Sequence, residues 1–222
     1  MNGSVWKRTG YGTMSKNLYV LSISAFTGFG IFVSMLVAQF TLQMELTWPF
    51  ALIVLVIGIA GIFVAHGSDV PVVSLLGYMM VAVPYGALLG PLLNLYVPVS
   101  IILPFFITTV YVAVFGLVGA VIPDSLESWS TYLLGGLFVG LLGYFIIPIG
   151  GLFGLSVAHA LTVWDWAIVV LFAAVIMYDF NRALRIPYTL DNSIDVALAI
   201  YLDWFNVFIR VLQFFGILKK ND

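Results

Sequence analysis

The chain has no cysteine and very few charged residues. None of its 222 residues is cysteine, which excludes disulfides, thiolate nucleophiles and cysteine-ligated metals. Charged residues make up 8% of the chain and the net charge is −2, which argues against a nucleic-acid partner. His66 and His159 stand alone, without a second ligand at helical spacing, so zinc chemistry is not expected. We therefore expect no cofactor, and the sequence leaves protein partners unknown.

What the chain has in abundance is apolar surface. Hydrophobic residues make up 63% of it and its mean hydropathy is +1.14. A soluble fold of this length cannot bury so many apolar side chains, so the composition predicts an all-α, multi-pass protein whose main partner is the lipid bilayer. The first apolar stretch, from Leu18 onward, is too long for the core of a cleavable signal and predicts a retained span. We expect residues 1–222 to form a single membrane domain with a short N-terminal tail, residues 1–17.

Turn-forming residues divide the apolar sequence into seven stretches of roughly 20 residues, the length that a helix needs to cross a bilayer. The clearest breaks are His66-Gly-Ser-Asp-Val-Pro71 and Pro123-Asp-Ser125. A count of six stays open, because the breaks at residues 96–98 and 148–154 contain no charged residue. The predicted spans lie near 18–41, 48–66, 71–93, 97–121, 131–149, 161–185 and 194–218.

Basic residues are scarce and unevenly placed. No lysine or arginine occurs between Lys16 and Arg182. Seven spans would place five basic residues on the side of the N-terminus and two on the other side, and cytoplasmic segments carry the excess of positive charge. We therefore predict a protein of the cell membrane with a cytosolic N-terminus and the C-terminus on the opposite side. The five are Lys7, Arg8, Lys16, Arg182 and Arg185, and the two are Lys219 and Lys220.

Asp179 and Asp203 end the apolar stretches 169–179 and 197–203, which lie inside the last two predicted spans. An ionised side chain near the bilayer centre costs at least a few kcal/mol, so such acids usually face the bundle interior, an ion path or a proton relay. Asn206 and Arg210 follow Asp203 at offsets of three and seven, which places the three on one helix face. We expect that polar face to point into the bundle and to carry the function.

The two aspartates are predicted to lie level with each other. Pro187 ends the sixth helix, and a polar run begins the seventh, with Asn192 or Ser193 as the predicted N-cap and Asp195 in the first turn. Each aspartate is then eight residues inside its helix. At the rise of an α-helix, both would lie about 12 Å below the cytosolic face.

Two carboxyl groups brought together away from water cannot easily both ionise, so the pair would share one proton and act as a latch. Loss of that proton leaves like charges that repel each other unless a cation arrives, and calcium, a hard divalent ion, suits oxygen ligands. Asp179 and Asp203 are thus candidates for a pH sensor and for transient calcium binding. The alternative is a structural role in which Asp203 pairs with Arg210 or Arg182 across helices.

The end of the chain resembles a known family. Met177-Tyr-Asp-Phe-Asn181, Ala197-Leu-Ala-Ile-Tyr-Leu-Asp-Trp-Phe-Asn206 and Phe214-Phe-Gly-Ile217 resemble the C-terminal signature of the transmembrane Bax inhibitor motif family, in its bacterial or archaeal type. The resemblance implies seven helices with the last one at the centre of the bundle. It also implies a pH-sensitive calcium leak, with Asp179 and Asp203 matching the paired aspartates of the family. Bacterial relatives occupy the plasma membrane, and eukaryotic ones internal membranes.

One departure from the family concerns the cation near the aspartate pair. Bacterial relatives associate a basic residue near the end of the second helix with the pair, whereas this chain reads Phe63-Val-Ala-His-Gly-Ser-Asp69 there. His66 is a candidate replacement, and because histidine titrates near neutrality it would add its own pH dependence. The competing interpretation is a histidine at the membrane interface.

Other classes of protein also use acids within membranes. A proton-coupled cation transporter fits the two aspartates, although the halves of the chain show no convincing repeat. A non-conducting membrane regulator is a third interpretation. An intramembrane aspartyl protease is disfavoured, because the second acid stands in Ile200-Tyr-Leu-Asp203 rather than in a Gly-x-Gly-Asp setting. We therefore predict that the protein is not an enzyme.

Overall fold

The computed structural model describes residues 12–219, which are helical almost throughout. Seven long helices follow one another, each within four residues of its predicted bounds. Pairing of extended backbone in the described residues is limited to one bridge, between Tyr96 and Leu218. The all-α class is therefore confirmed, while Lys7, Arg8 and Lys220 lie outside the described residues. The helices are α1 Lys16–Thr41, α2 Trp48–His66, α3 Pro71–Asn94, α4 Pro98–Val121, α5 Ser130–Gly150, α6 Val157–Ala183 and α7 Leu190–Phe215.

Six of these helices are long and apolar enough to cross a membrane. They are α1 to α6, with α5 counted together with the short turns of 3-10 helix beside it, as Glu127–Phe153. The helix α7 has 26 residues, so its length of about 39 Å would also suffice. It differs by carrying four charged residues, Asp191, Asp195, Asp203 and Arg210. The chain is thus a multi-pass helical membrane protein with six well-supported spans.

The helix α7 is buried on almost every side, whereas α2 is buried along one narrow line. From Asp191 to Leu212, nearly every residue of α7 is buried, including Leu198, Tyr201 and Phe208 at 0% exposure. Burial of this kind is typical of a helix that has neighbours on several of its faces. In α2, by contrast, the buried residues are Val54, Gly58, Gly61 and Ala65.

The start of α7 corrects one prediction. The sequence predicted Asn192 or Ser193 as the N-cap and Asp195 in the first turn, but the helix begins at Leu190. The Thr189 hydroxyl accepts a hydrogen bond from the Asn192 N–H at 3.1 Å, so Thr189 is the cap. The acid of the first turn is Asp191, and Asp195 lies one turn deeper with 1% exposure. The equal counts of eight residues were therefore wrong as well.

The chain divides into two compact units, and the first contains the described residues up to Leu103, Ile186–Leu202 and those from Gly216 onward. Its helices α1 and α3 touch through small residues. A Cβ atom on Gly86 would lie 2.6 Å from the Ser34 carbonyl oxygen, and the Ser34 hydroxyl donates to Ala82 O at 2.8 Å. The prediction of a single domain over residues 1–222 stays a prediction.

The second unit contains Pro104–Arg185 and Asp203–Phe215, and it holds both intramembrane aspartates of the sequence prediction. Glycines again set the helix spacing. A Cβ on Gly119 of α4 would lie 2.1 Å from the Met177 carbonyl oxygen of α6. Gly143 of α5 faces the Trp164 ring of α6, whose Nε1 donates to Gly140 O at 3.0 Å. These contacts hold α6 against α4 and α5.

Candidate functional site

The carboxyl groups of Asp179 and Asp203 meet between α6 and α7. Each side chain is a hydrogen-bond partner of the other. Asp203 is 4% exposed and Asp179 is half-buried. The Oδ2 atom of Asp203 is buried and has no hydrogen-bond partner. A hydrogen bond between two carboxyl groups requires a proton on one of them, so this geometry suits a pair that carries one shared proton.

Arg182 is the cation that acts on this pair. It lies one turn after Asp179 on α6 and interacts electrostatically with that carboxyl group. Its Nη1 donates to the Tyr178 hydroxyl at 3.1 Å, and its guanidinium carbon lies 5.8 Å from the Tyr178 ring centre. The last turn of a helix favours a positive side chain, which stabilises Arg182 in this place. A strong cation is therefore present beside the pair, although it comes from α6 and not from α2.

Arg210 has other partners than Asp203. Its Nε atom lies 3.9 Å from Asp165 Oδ1, and its Nη1 donates to Asn206 O at 2.7 Å. The predicted polar face of α7 is thus divided, because Asp203 meets Asp179 while Arg210 meets Asp165. Arg210 thus has Asp165 as its counter-charge rather than Asp203, and the other form of the structural alternative, in which Asp203 pairs with Arg182, stays a prediction.

The remaining predicted residues, Asp195 and His66, belong to the first unit. Asp195 acts electrostatically on Tyr19 of α1. The Nδ1 atom of His66 lies 3.0 Å from Ile62 O, one turn back on α2. The hypothesis that His66 replaces the family's basic residue stays a prediction.

Asn181 is an important residue to which the sequence analysis gave no role. It is 1% exposed, and its Nδ2 donates to the carbonyl oxygens of Gly119, Ile122 and Asp124 at 3.1–3.2 Å. Its Oδ1 accepts from the Leu126 N–H at 3.0 Å. Asn181 therefore caps the end of α4 and fixes the following loop beside the aspartate pair. Its position at the end of the Met177–Asn181 signature was the feature of the sequence that could have identified it as a functional residue.

Asp165 and Tyr144 are two further residues that the sequence analysis did not single out. The Tyr144 hydroxyl of α5 donates to Asp165 Oδ1 of α6. Asp165 lies inside the predicted sixth span, as Asp179 does, and that position was a usable signal. Its neighbours Trp164 and Trp166 are residues that are enriched where a helix leaves the membrane.

The aspartate pair offers a cation two carboxylates. Within residues 12–219, no group of three or more histidine, aspartate or glutamate side chains is gathered in a way that could hold a metal ion. Calcium usually takes six to eight oxygen ligands, so water would have to supply most of its shell at the pair. That chemistry suits an ion in passage better than a resident one.

These observations define the class as a multi-pass α-helical membrane protein with a buried carboxyl pair between its last two helices. The family model described as "Inhibitor of apoptosis-promoting Bax1" matches residues 16–220, so the chain belongs to the Bax inhibitor family. Two proteins described as uncharacterized, from Helicobacter pylori strains 26695 and J99, are 42% identical over 53 residues. That stretch covers 24% of this chain and 22% of each of those proteins.

Proposed function

We propose that the protein is a pH-sensitive calcium leak channel of the cell membrane, gated by Asp179 and Asp203. The observation that carries the proposal is the mutual hydrogen bond of the two carboxyl groups between α6 and α7, where Asp203 is buried and Asp179 half-buried. Membership in the Bax inhibitor family adds support. We propose no catalytic activity.

In this mechanism the shared proton holds α6 and α7 together. Loss of the proton leaves two carboxylates in contact where little water screens them, and their repulsion separates the helices. Calcium then neutralises the charges as it passes, because carboxylate oxygens are the ligands that it prefers. Arg182 helps the ionised state through its interaction with Asp179. Flux should accordingly rise as the pH rises through the titration of the pair.

The proposed topology has seven spans, with α7 as the central one. Its burial on almost all sides supports this arrangement, since the charged side chains of α7 would be costly against lipid. A cytosolic N-terminus and a C-terminus on the opposite side follow from the distribution of basic residues. Cysteines introduced near each end, in a chain that has none, would report the two sides by labelling with a membrane-impermeant thiol reagent.

The test is calcium flux into liposomes that contain the purified protein and a trapped indicator. Wild type should pass calcium down its gradient with a clear dependence on pH. Asp179→Asn and Asp203→Asn should each abolish that dependence, because an amide does not titrate. Asp124→Asn, an exposed carboxyl in the α4–α5 loop, is the matched control and should keep the wild-type profile. If both site variants kept that profile, the latch mechanism would be wrong.

A proton-coupled cation transporter is a second candidate. It is favoured by a further charged cluster, Asp165 and Arg210, on the same two helices, because a transporter needs more than one barrier along its path. The same liposomes decide between the two functions. A proton gradient should drive calcium against its own gradient in a transporter, whereas a leak channel only dissipates the calcium gradient. A protein that moves no ion would be a regulator.

A further inference from the structure

A second charged cluster lies where α5, α6 and α7 meet in the second unit. Arg210 of α7 lies 3.9 Å from Asp165 of α6 and interacts electrostatically with Tyr144 of α5, whose hydroxyl donates to Asp165. The guanidinium carbon lies 5.6 Å from the Tyr144 ring centre and 5.9 Å from that of Phe172. Three helices thus hold one positive charge in a fixed place.

This cluster lies on the same faces of α6 and α7 as the aspartate pair. Asp165 precedes Asp179 by 14 residues, close to four full turns or about 21 Å of helix. Arg210 follows Asp203 by seven residues, close to two turns or about 10 Å. On both helices the ion pair therefore lies to the same side of the aspartate pair, toward the start of α6 and the end of α7.

The ion pair leaves one hydrogen-bond donor of Arg210 without a partner. The Arg210 Nε atom is buried, has no hydrogen-bond partner and lies 3.9 Å from Asp165 Oδ1, beyond hydrogen-bonding distance. The side chains of Arg210 and Asp165 remain 13% and 15% exposed. A pair that served stability alone would be expected to use this N–H, because an unsatisfied buried donor costs free energy. Arg210 instead keeps a donor that Asp165 does not use.

We propose that Arg210, positioned by Asp165 and Tyr144, is the electrostatic barrier that limits cation flux on the path beyond the aspartate pair. A fixed arginine repels cations at a narrow point, and the neighbouring carboxylate lowers that repulsion. The pair sets the rate of passage, while Asp179 and Asp203 set its dependence on pH. This inference rests on the proposed conduction of cations.

Charge deletion on the two sides of the pair gives effects of opposite sign. Arg210→Gln leaves Asp165 to attract cations, so it should raise calcium flux at least about fivefold. Asp165→Asn leaves Arg210 unopposed, so it should lower the flux by a similar factor, about fivefold. Arg210→Lys should lie near wild type, because it keeps the positive charge, and the double variant should lie between the two single variants.

The experiment measures calcium and potassium flux, each down its own gradient, in liposomes with equal amounts of folded protein as judged by gel filtration. A merely structural pair predicts shifts in the same direction for the two single variants, and that outcome would overturn the inference. Opposite shifts with a pH response like that of wild type would support it.

The same experiment separates the inference from the proposed function. A wild type that is silent toward calcium while Arg210→Gln conducts would support the barrier and contradict the calcium leak. Wild type could instead leak calcium with the expected pH response while both single variants keep the wild-type flux. That result would overturn the inference about Arg210 and leave the proposed function intact. Silence of every variant toward both ions would overturn both proposals.

Discussion

The second unit holds two charged clusters on one pair of helices, and they are built in opposite ways. Asp179 and Asp203 bring two groups of like charge together, and Asp203 is 4% exposed. Asp165 and Arg210 bring opposite charges together, at 15% and 13% exposure. On α7, Asp203 of the like-charged pair is therefore more deeply buried than Arg210 of the ion pair, although two like charges have the greater need of solvent.

The difference shows which cluster can respond to pH. Two carboxyl groups in contact need a proton to neutralise them, so their stability depends on the proton concentration. An aspartate and an arginine neutralise each other, and the arginine stays charged at any ordinary pH. We therefore expect one labile cluster, which responds to pH, and one permanent cluster, which does not, along the same helices.

The largest expected effect is on stability. The same substitution, Asp to Asn, should stabilise the protein at the like-charged pair and destabilise it at the ion pair. Asp203→Asn removes one of two repelling carboxyl groups, and its amide can still donate to Asp179, so it should stabilise the protein by about 1 kcal/mol at mildly alkaline pH. Asp165→Asn leaves Arg210 without its counter-charge and should destabilise the protein by about 2 kcal/mol, discounted for partial exposure. Thermal unfolding in detergent measures both.

The control for this comparison is again Asp124→Asn, which removes an exposed carboxyl group and should leave the unfolding temperature nearly unchanged. The stabilisation by Asp203→Asn should also fade as the pH falls, because the wild-type pair then regains its shared proton. Destabilisation by both site variants at every pH would mean that the two clusters do not differ in the way described.

The sequence predicted the helices well because their ends are strongly marked. Pro49, Pro71 and Pro98 stand in the first turns of α2, α3 and α4, where the missing N–H costs nothing. The start of α7 was harder, since the polar run from Thr189 to Ser193 offers several residues that can cap a helix. The residue types alone do not decide which of them caps the helix. The packing of the buried first turns decides it.

The candidate site could be predicted only in part. Asp179 and Asp203 stand out because a charge within an apolar span is costly wherever the helix points. The partner of Arg210 could not be read in the same way, because Asp165, Asp203 and other acids are all compatible with a helix pattern. Which acid it meets depends on the rotation of α6 and α7 about their axes. That rotation is set by contacts such as the Trp164 ring on Gly143.

Two glycines test how rigidly each cluster is held. A Cβ on Gly119, next to the aspartate pair, would meet the Met177 backbone at 2.1–2.7 Å, which cannot move without shifting α6. A Cβ on Gly143, next to the ion pair, would meet the ring of Trp164, a side chain that can shift more readily than backbone. After allowing about 1 kcal/mol for the better helix propensity of alanine, Gly119→Ala should destabilise the protein by about 2 kcal/mol.

For Gly143→Ala we expect a net destabilisation of less than about 1 kcal/mol, measured in the same unfolding experiment. Gly135→Ala is the control, because a Cβ there meets nothing within 4 Å and should be neutral or slightly stabilising. Equal destabilisation by the two substitutions would show that the aspartate pair has no firmer backbone support than the ion pair.

The smallest expected effect concerns the cation that serves the labile cluster. Arg182→Gln removes the positive charge beside Asp179, so the carboxylate is less stable and the flux midpoint should move to higher pH, by about half a unit. Arg185→Gln is the matched control: the same charge is lost, but from a guanidinium that binds the carbonyl oxygens of Ile122, Pro123 and Asp124 at 2.8–3.1 Å. His66→Ala is the third variant of this series. If His66 replaces the basic residue of the family, its removal should move the flux midpoint in the same direction as Arg182→Gln does. An unchanged midpoint in His66→Ala would dismiss the histidine, and an unchanged midpoint in Arg182→Gln would mean that the aspartate pair titrates without help from either cation.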